Sequence, residues 1–188
     1  MVTHVPDGET VETPDLRIEI ERRGRRVTIR PITPDDRERE AAFVRRLSPQ
    51  SRYYRFHSSL RELTPELLAR FTRVDYPDDM ALVATVEDAG EQTQIGVARY
   101  ATTPPGSSTA EVAIVVEDAW QGRGIGSRLL LELRRIALAG GIRHLHMRVL
   151  PENRRMIELA ERLGYEPRPP DGDFRSRTLG KPLRQPEP

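Results

Sequence analysis

The chain has 188 residues, no cysteine, and a net charge of +1 from 30 basic and 29 acidic side chains. Without cysteine there are no disulfides, thiolate metal sites or Cys nucleophile; the balanced charge gives no global footprint for nucleic acid; and no apolar run approaches the ~20 residues that span a bilayer. We read it as a cytoplasmic protein, monomer or homodimer, with one core and with neither nucleic acid nor membrane as a partner.

Residues 1–14 are polar and contain proline, which predicts a disordered tail. A second tail is expected over 181–188, leaving one domain over 15–180. Leu16–Ile20 and Val27–Arg30 alternate apolar and polar around Gly24, a hairpin signature. The Arg22-Arg23-Gly24-Arg25-Arg26 cluster reads as its solvated tip. Thr33-Pro34-Asp35-Asp36 opens a helix that Ser48-Pro49 stops. Shorter helices follow over Gln50–Phe56 and Pro65–Thr72. Strands are predicted over Ala81–Val86, Gln94–Ala101 and Thr109–Val116, divided by turns at Gly90 and Thr103–Gly106. A long helix from about Gly122 to Ala139 carries Ile125, Leu129, Leu133 and Ile136 on one face, and Gly140-Gly141 ends it. His144–Leu150, Asn153–Leu163 and Phe174–Leu179 read as strand, helix and strand. The order predicts an α/β (α+β) domain with a mixed sheet.

The segment from Val115 to Arg128 carries the most chemistry. A strand ends at Glu117-Asp118, a loop places glycine at 122, 124 and 126, and a periodic helix begins. Unblocked backbone N–H groups at the positive end of a helix suit phosphate. A P-loop needs Lys-Ser/Thr after its last glycine, and Ser127-Arg128 is not that. A dinucleotide fingerprint needs a third glycine where Ser127 stands, inside a βαβ unit that is missing here.

Gln121-x-x-Gly124-x-Gly126 between a strand and a helix resembles the acyl-CoA motif of the GCN5-related N-acetyltransferases (GNAT). Asn153 to Tyr165, an Asn leading a helix that closes on Gly164 and an aromatic, looks like that family's second signature. The resemblance implies a mostly antiparallel twisted sheet flanked by helices, with central strands splayed at the acyl-CoA site. It implies acetyl-CoA as co-substrate and no metal. Val115 and Val116 would meet the pantetheine arm through their backbone, and the amides of Gly122, Arg123, Gly124, Ile125, Gly126 and Ser127 would hold the diphosphate. Arg30–Asp36, Leu47–Phe56 and Val97–Tyr100 are similar to bacterial protein lysine acetyltransferases that modify acyl-CoA synthetases. The implied acceptor is a protein lysine, with a small-molecule amine as the alternative and a non-catalytic acyl-CoA-binding module as a third reading. On that likeness the chain reads as a stand-alone catalytic unit.

A lysine-like amine of pKa ~10.4 is only about 0.05% neutral at pH 7, a penalty of ~4.6 kcal/mol. A general base offsets part of this. Glu111, a carboxylate within the apolar run Ala110–Val116, is the candidate that both the alternation and the resemblance favour; the alternative is a solvent-facing Glu at a strand end. The backbone N–H near Val116 is the candidate oxyanion donor. Arg123 and Arg128 either add charge to the phosphates or are surface arginines. Asn153 either binds the cofactor or caps its helix. The family's thiolate-protonating Tyr corresponds to Ala160 here, while Tyr165 takes a packing position, so solvent or another residue must serve. His144 and His146 share a strand face without a third metal ligand in view. Tyr53, Tyr54 and His57 are either acceptor contacts or packing.

Overall fold

In the computed structural model, residues 12–58, 60–88, 90–169 and 175–184 are described. The expected hairpin forms from β1 (Ile18–Arg22) and β2 (Arg25–Pro31). Its two turn residues, Arg23 and Gly24, are both left-handed, at φ 56 and 67, as a tight hairpin turn demands. Thr33 and Asp36 form a reciprocal capping box around a short turn, and α1 (Arg37–Arg46) continues from it. α2 (Pro49–Phe56) and α3 (Pro65–Phe71) start on the hydroxyl caps Ser48 and Thr64. β3 (Asp79–Asp88), β4 (Glu91–Thr102) and β5 (Thr109–Val116) form the expected meander. Then come α4 (Ile125–Ala139), β6 (His144–Val149), α5 (Arg154–Arg162), β7 (Glu166–Arg168) and β8 (Arg177–Pro182).

The strands make one sheet in the order β1-β2-β3-β4-β5-β6-β8-β7, antiparallel except between β5 and β6. Leu82 and Ala84 of β3 join the core under α4 and α5, while Ala81 and Val83 join the core under α1 and α3. Both faces are covered, which is why β3 reads as a continuous apolar run. Leu129 and Leu133 of α4 are fully buried on the first face, each worth about 1.5–3 kcal/mol of transfer free energy.

Four differences from the sequence reading have local causes. α4 begins at Ile125, three residues late, because Gly122 and Gly124 sit at φ 72 and 78, outside helical space. β7 escaped notice because Glu166-Pro167-Arg168 is exposed throughout and has no apolar alternation; its proline is tolerated at a sheet edge. The last strand runs from Arg177, while Phe174 lies outside the described residues. Of the residues expected as a tail from 181, Lys181 and Pro182 pair with Leu145 and His144 and Leu183 is buried. Residues 1–11 and 185–188 lie outside the described residues.

The parallel pair positions the site. β5 and β6 are in register only from Thr109–His144 to Glu111–His146. Beyond Glu111 they diverge, and β5 continues to Val116 with β4 alone.

Candidate active site

The gap left by the diverging strands opens into a cleft of about 930 Å³. Its walls are the end of β5 (Ile114, Val115, Val116), the glycine loop (Gln121, Gly122, Gly124, Gly126, Ser127), residues 50, 51, 54 and 55 of α2, and one face of α5 beginning at Asn153.

The loop end is built from backbone. α2, α3 and α5 each open on a side chain that accepts a hydrogen bond from the first turn, whereas α4 opens on left-handed Gly124 with no such cap. Its leading N–H groups thus lack an intrahelical or side-chain acceptor, and they carry the positive end of the helix dipole. A Cβ on Gly126 would meet only ordinary contacts, Leu159 at 3.5 Å and Ile114 at 3.6 Å. Packing alone does not require glycine there; open space on the cleft wall is what it preserves. These features fit a diphosphate.

The β5 register decides which backbone groups face the gap. Glu117 N–H donates to Ile95 O, making that a hydrogen-bonded pair of the antiparallel ladder. Val116–Gly96 and Ile114–Ala98 are therefore non-hydrogen-bonded pairs, and Val115–Val97 is a bonded one. The N–H groups of Ile114 and Val116 point away from β4, to the side β6 has vacated. Val115 has its backbone committed to β4, and only its side chain reaches the cleft wall. Ile114 was absent from the sequence reading; the strand parity that marks it needs the register.

Side chains lock the loop to its surroundings. Gln121 Nε2 donates to Val116 O (3.0 Å) and Ser51 Oγ (3.3 Å). Asp118 accepts from Ser48 N–H (3.0 Å) and from the hydroxyls of Ser48 and Ser51 (both 2.8 Å). Burial opposes ionisation of Asp118, but these Ser48 and Ser51 donors hold its carboxyl below the usual range. Arg22 Nε donates to Arg123 O (2.8 Å). One arginine of the hairpin cluster is thus docked on the loop rather than solvated, a contact between residues 101 apart that sequence spacing cannot reveal.

The other charged candidates are placed as follows. Arg123 folds back onto Ala119 O (2.7 and 3.0 Å) and over the Trp120 ring, and Arg128 pairs with Glu132 at 3.0 Å. Neither side chain forms the cleft wall, nor does that of Ile125, which is buried in the core. Asn153 does line the cleft, and its Oδ1 caps α5 by accepting from Met156 N–H at 3.2 Å. Capping occupies the oxygen, and the amide NH₂ remains a donor.

Glu111 sits at the apex of the gap rather than in the cleft walls. It is 40% exposed and held by a bidentate pair from Arg148 of β6, Nε to Oε1 at 3.0 Å and Nη2 to Oε2 at 2.8 Å. The pair fixes the carboxylate and uses about two of its roughly four acceptor sites. His146 stands beside Glu111 in the register. Among the described residues no group of three or more His, Cys, Asp or Glu side chains is placed to hold a metal.

Ala160 is fully buried and Tyr165 packs in the core. Tyr54 lines the cleft; its hydroxyl donates to Glu152 O (3.4 Å) and accepts from Gln50 Nε2 (3.0 Å). Tyr53 is exposed and borders a smaller adjoining pocket. Arg55 lies over the Phe56 and Phe71 rings, 5.1 and 5.9 Å from their centroids, and Arg154, Arg155 and Arg162 of α5 also line the cleft. The sequence reading missed these four because their relevance depends on which way α2 and α5 face.

A splayed sheet with a glycine loop at an uncapped helix defines the class of α/β folds that hold an extended, phosphate-bearing ligand. The model of the family described as "Acetyltransferase (GNAT) domain" matches residues 26–166, and the chain belongs to that family. It is 38% identical over 142 residues to the acetyltransferase PA5475 of Pseudomonas aeruginosa, covering 76% of each chain. It is 37% identical over 136 residues to the acetyltransferase Pat of Mycolicibacterium smegmatis, covering 72% of this chain and 40% of that relative. Among solved structures, the GNAT domain of S. lividans PAT superposes with a TM-score of 0.79 at 34% identity, over 89% of this chain and 97% of that one. The protein is an acetyltransferase with a mixed, mostly antiparallel sheet flanked by helices. No helix among its described residues is long and apolar enough to cross a membrane.

Proposed function

We propose that the protein transfers an acetyl group from acetyl-CoA to a primary amine, with a protein lysine as the favoured acceptor. The observation that carries this is the single opening between β5 and β6, with a fixed carboxylate at its apex and a phosphate-fitting loop at its mouth. The likeness of 47–56 to bacterial protein lysine acetyltransferases, and of the whole fold to the GNAT domain of S. lividans PAT, supports a lysine acceptor.

Acetyl-CoA, when bound, supplies the reactive thioester. The loop amides from Gly122 to Ser127 and the open end of α4 hold its diphosphate. The N–H groups of Ile114 and Val116 face the gap, about 7 Å apart along the strand, and one of them donates to the carbonyl oxygen as charge grows there. Glu111 takes the proton of the incoming ammonium. Three strand residues, about 10 Å, separate Glu111 from Ile114, so that proton travels through water. Tyr54 O–H is the cleft phenol that serves the departing thiolate, since α5 offers only Ala160 at the family's position.

The test is Glu111→Gln, with CoA affinity read from the fluorescence of Trp120, the chain's one tryptophan and a cleft residue. Affinity is expected to hold while turnover falls about 10²-fold or more; full turnover in the variant sinks the base assignment. Thiol release and mass spectrometry across proteins and small amines then identify the acceptor. Acetylation of small amines with none of proteins would overturn the lysine reading.

A further inference from the structure

The cations that line the cleft are held in different ways. Arg154 and Arg162 of α5 make no hydrogen bond or ion pair among the described residues, but both are exposed and water solvates them. Arg55, on the α2 wall, also makes neither, yet it is half-buried. Its guanidinium lies over the Phe56 and Phe71 rings, 5.1 and 5.9 Å from their centroids. That packing fixes the charge in place without a counter-ion.

The groups around Arg55 leave its charge incompletely balanced. Arg99, which shares the Phe71 ring, is committed to Asp79 and to the carbonyls of Arg70, Phe71 and Arg73. Glu40 is near enough for its charge to act on Arg55, but it is buried, accepts from Gln94 Nε2, and has its pKa raised by that burial. Glu111 also acts on Arg55, and Arg148 already holds its carboxylate.

The position of Arg55 relates it to the acceptor. One turn earlier on α2, Ser51 accepts from Gln121 Nε2, which also donates to Val116 O. Arg55 stands four residues on, about 6 Å along the helix, and within electrostatic range of Glu111. It therefore flanks the path between the Val116 end of β5 and Glu111. An acceptor docked there strips water from the guanidinium, and burying that charge unpaired costs several kcal/mol. A carboxylate seated on the guanidinium fork removes the cost.

We propose that Arg55 is a specificity-determining residue, binding a carboxylate carried beside the acceptor amine. The enzyme then selects amines with an acidic neighbour and discriminates against polycationic ones, whose second charge meets Arg55. This rests on the proposed transfer to an amine at Glu111. The carboxylate has two sources, an Asp or Glu next to a lysine in a protein and the carboxylate of a free amino acid.

The experiment measures kcat/KM of the full chain by thiol release from acetyl-CoA. Three capped peptides carry one lysine flanked by Glu, Gln or Arg, and Nα-acetyl-lysine is compared with its carboxamide. Wild type is expected to prefer the Glu peptide over the Gln peptide by about tenfold, near 1.4 kcal/mol, with the Arg peptide poorest. Arg55→Ala should bring the Glu and Gln peptides within about twofold of each other. Arg55→Lys should retain part of the preference, and Arg55→Glu should invert it toward the Arg peptide. Each preference is a ratio measured on one protein, so a partly folded variant still reports it. Equal use of the Glu and Gln peptides by wild type, or a preference unchanged in Arg55→Ala, overturns the assignment while leaving amine acetylation standing. A preference confined to Nα-acetyl-lysine over its carboxamide supports Arg55 and assigns the carboxylate to a small acceptor. No turnover of any of the five amines overturns the inference, and a wider acceptor panel that also stays unmodified overturns the amine reading beneath it.

Discussion

The two ends of the cleft are made differently. At the loop end the groups proposed to face the ligand are backbone: glycine amides, the uncapped start of α4, and alternate N–H groups of β5. At the proposed acceptor end they are side chains drawn from distant elements: Tyr54 and Arg55 of α2 on the cleft wall, and Glu111 of β5, paired with Arg148 of β6, at the apex of the gap. A backbone site depends on dihedral angles that a few neighbouring residues set. A side-chain site depends on how separate elements pack. The first should fail through local conformational change and the second through loss of support.

The largest effect should come from the loop. Gly124 is left-handed at φ 78, with the nearest atom to an added Cβ, Arg22 Nη2, at 3.7 Å. Space is available, but a β-branched residue in that conformation is a steric outlier. Gly124→Val is expected to weaken CoA binding about 100-fold, or ~2.7 kcal/mol, while the buried core keeps the protein folded. Undiminished affinity by Trp120 fluorescence would show that the loop conformation does not form the cradle.

Next is a test of the support beneath the acceptor side. Asp36 is fully buried where β2 meets α1, in a bidentate pair with Arg30 (both 2.7 Å), and it also accepts from Arg39 (2.9 Å) and Thr33 N–H (2.9 Å). Burial alone would raise its pKa; the Arg30 and Thr33 hydrogen bonds and the Arg30 charge override that and lower it from 3.8 to about 2. A depressed folded-state value stabilises fully above 3.8, and that contribution is lost as pH falls through 2. It amounts to about 2 kcal/mol at pH 7, the expected cost of Asp36→Asn in urea denaturation. The gap between variant and wild type should close near pH 2. Hydrogen exchange in acid should open α1 before α4, whose attachment is apolar; simultaneous opening would erase the contrast between the two sides.

The contrast also explains what could be read from the sequence. The loop was legible because three glycines, the preceding strand and the following helix are contiguous, and the element order followed from periodicity and turn residues. Ile114 was not, since a backbone N–H gains its direction from pairing with β4. Arg148 was not, because its partner lies 37 residues away across a parallel pair. Arg22 looked like a solvated residue for the same reason. Arg123 and Arg128 were nominated by adjacency to the loop, yet Ala119 O and Glu132 claim them. Arg154 and Arg162 are uncommitted because α5 turns them away from the core. Sequence proximity identifies a backbone site well and a side-chain site poorly.

Asp118 tests whether the two ends act as one. It follows β5 in sequence, but its carboxylate holds Ser48 and Ser51 at the start of α2. Asp118→Ala removes that tie and leaves Gly122, Gly124 and the start of α4 unaltered in sequence. If α2 is positioned through this carboxylate, kcat/KM for the amine acceptor should fall about tenfold, near 1.4 kcal/mol. CoA affinity should change less than about threefold, because the proposed diphosphate contacts are backbone groups at an open helix end. Trp120 titration and acceptor kinetics on the same variant separate the two quantities. An equal loss in both would mean that the loop, too, takes its conformation from α2, and that the division between a self-contained backbone site and a supported side-chain site is drawn in the wrong place.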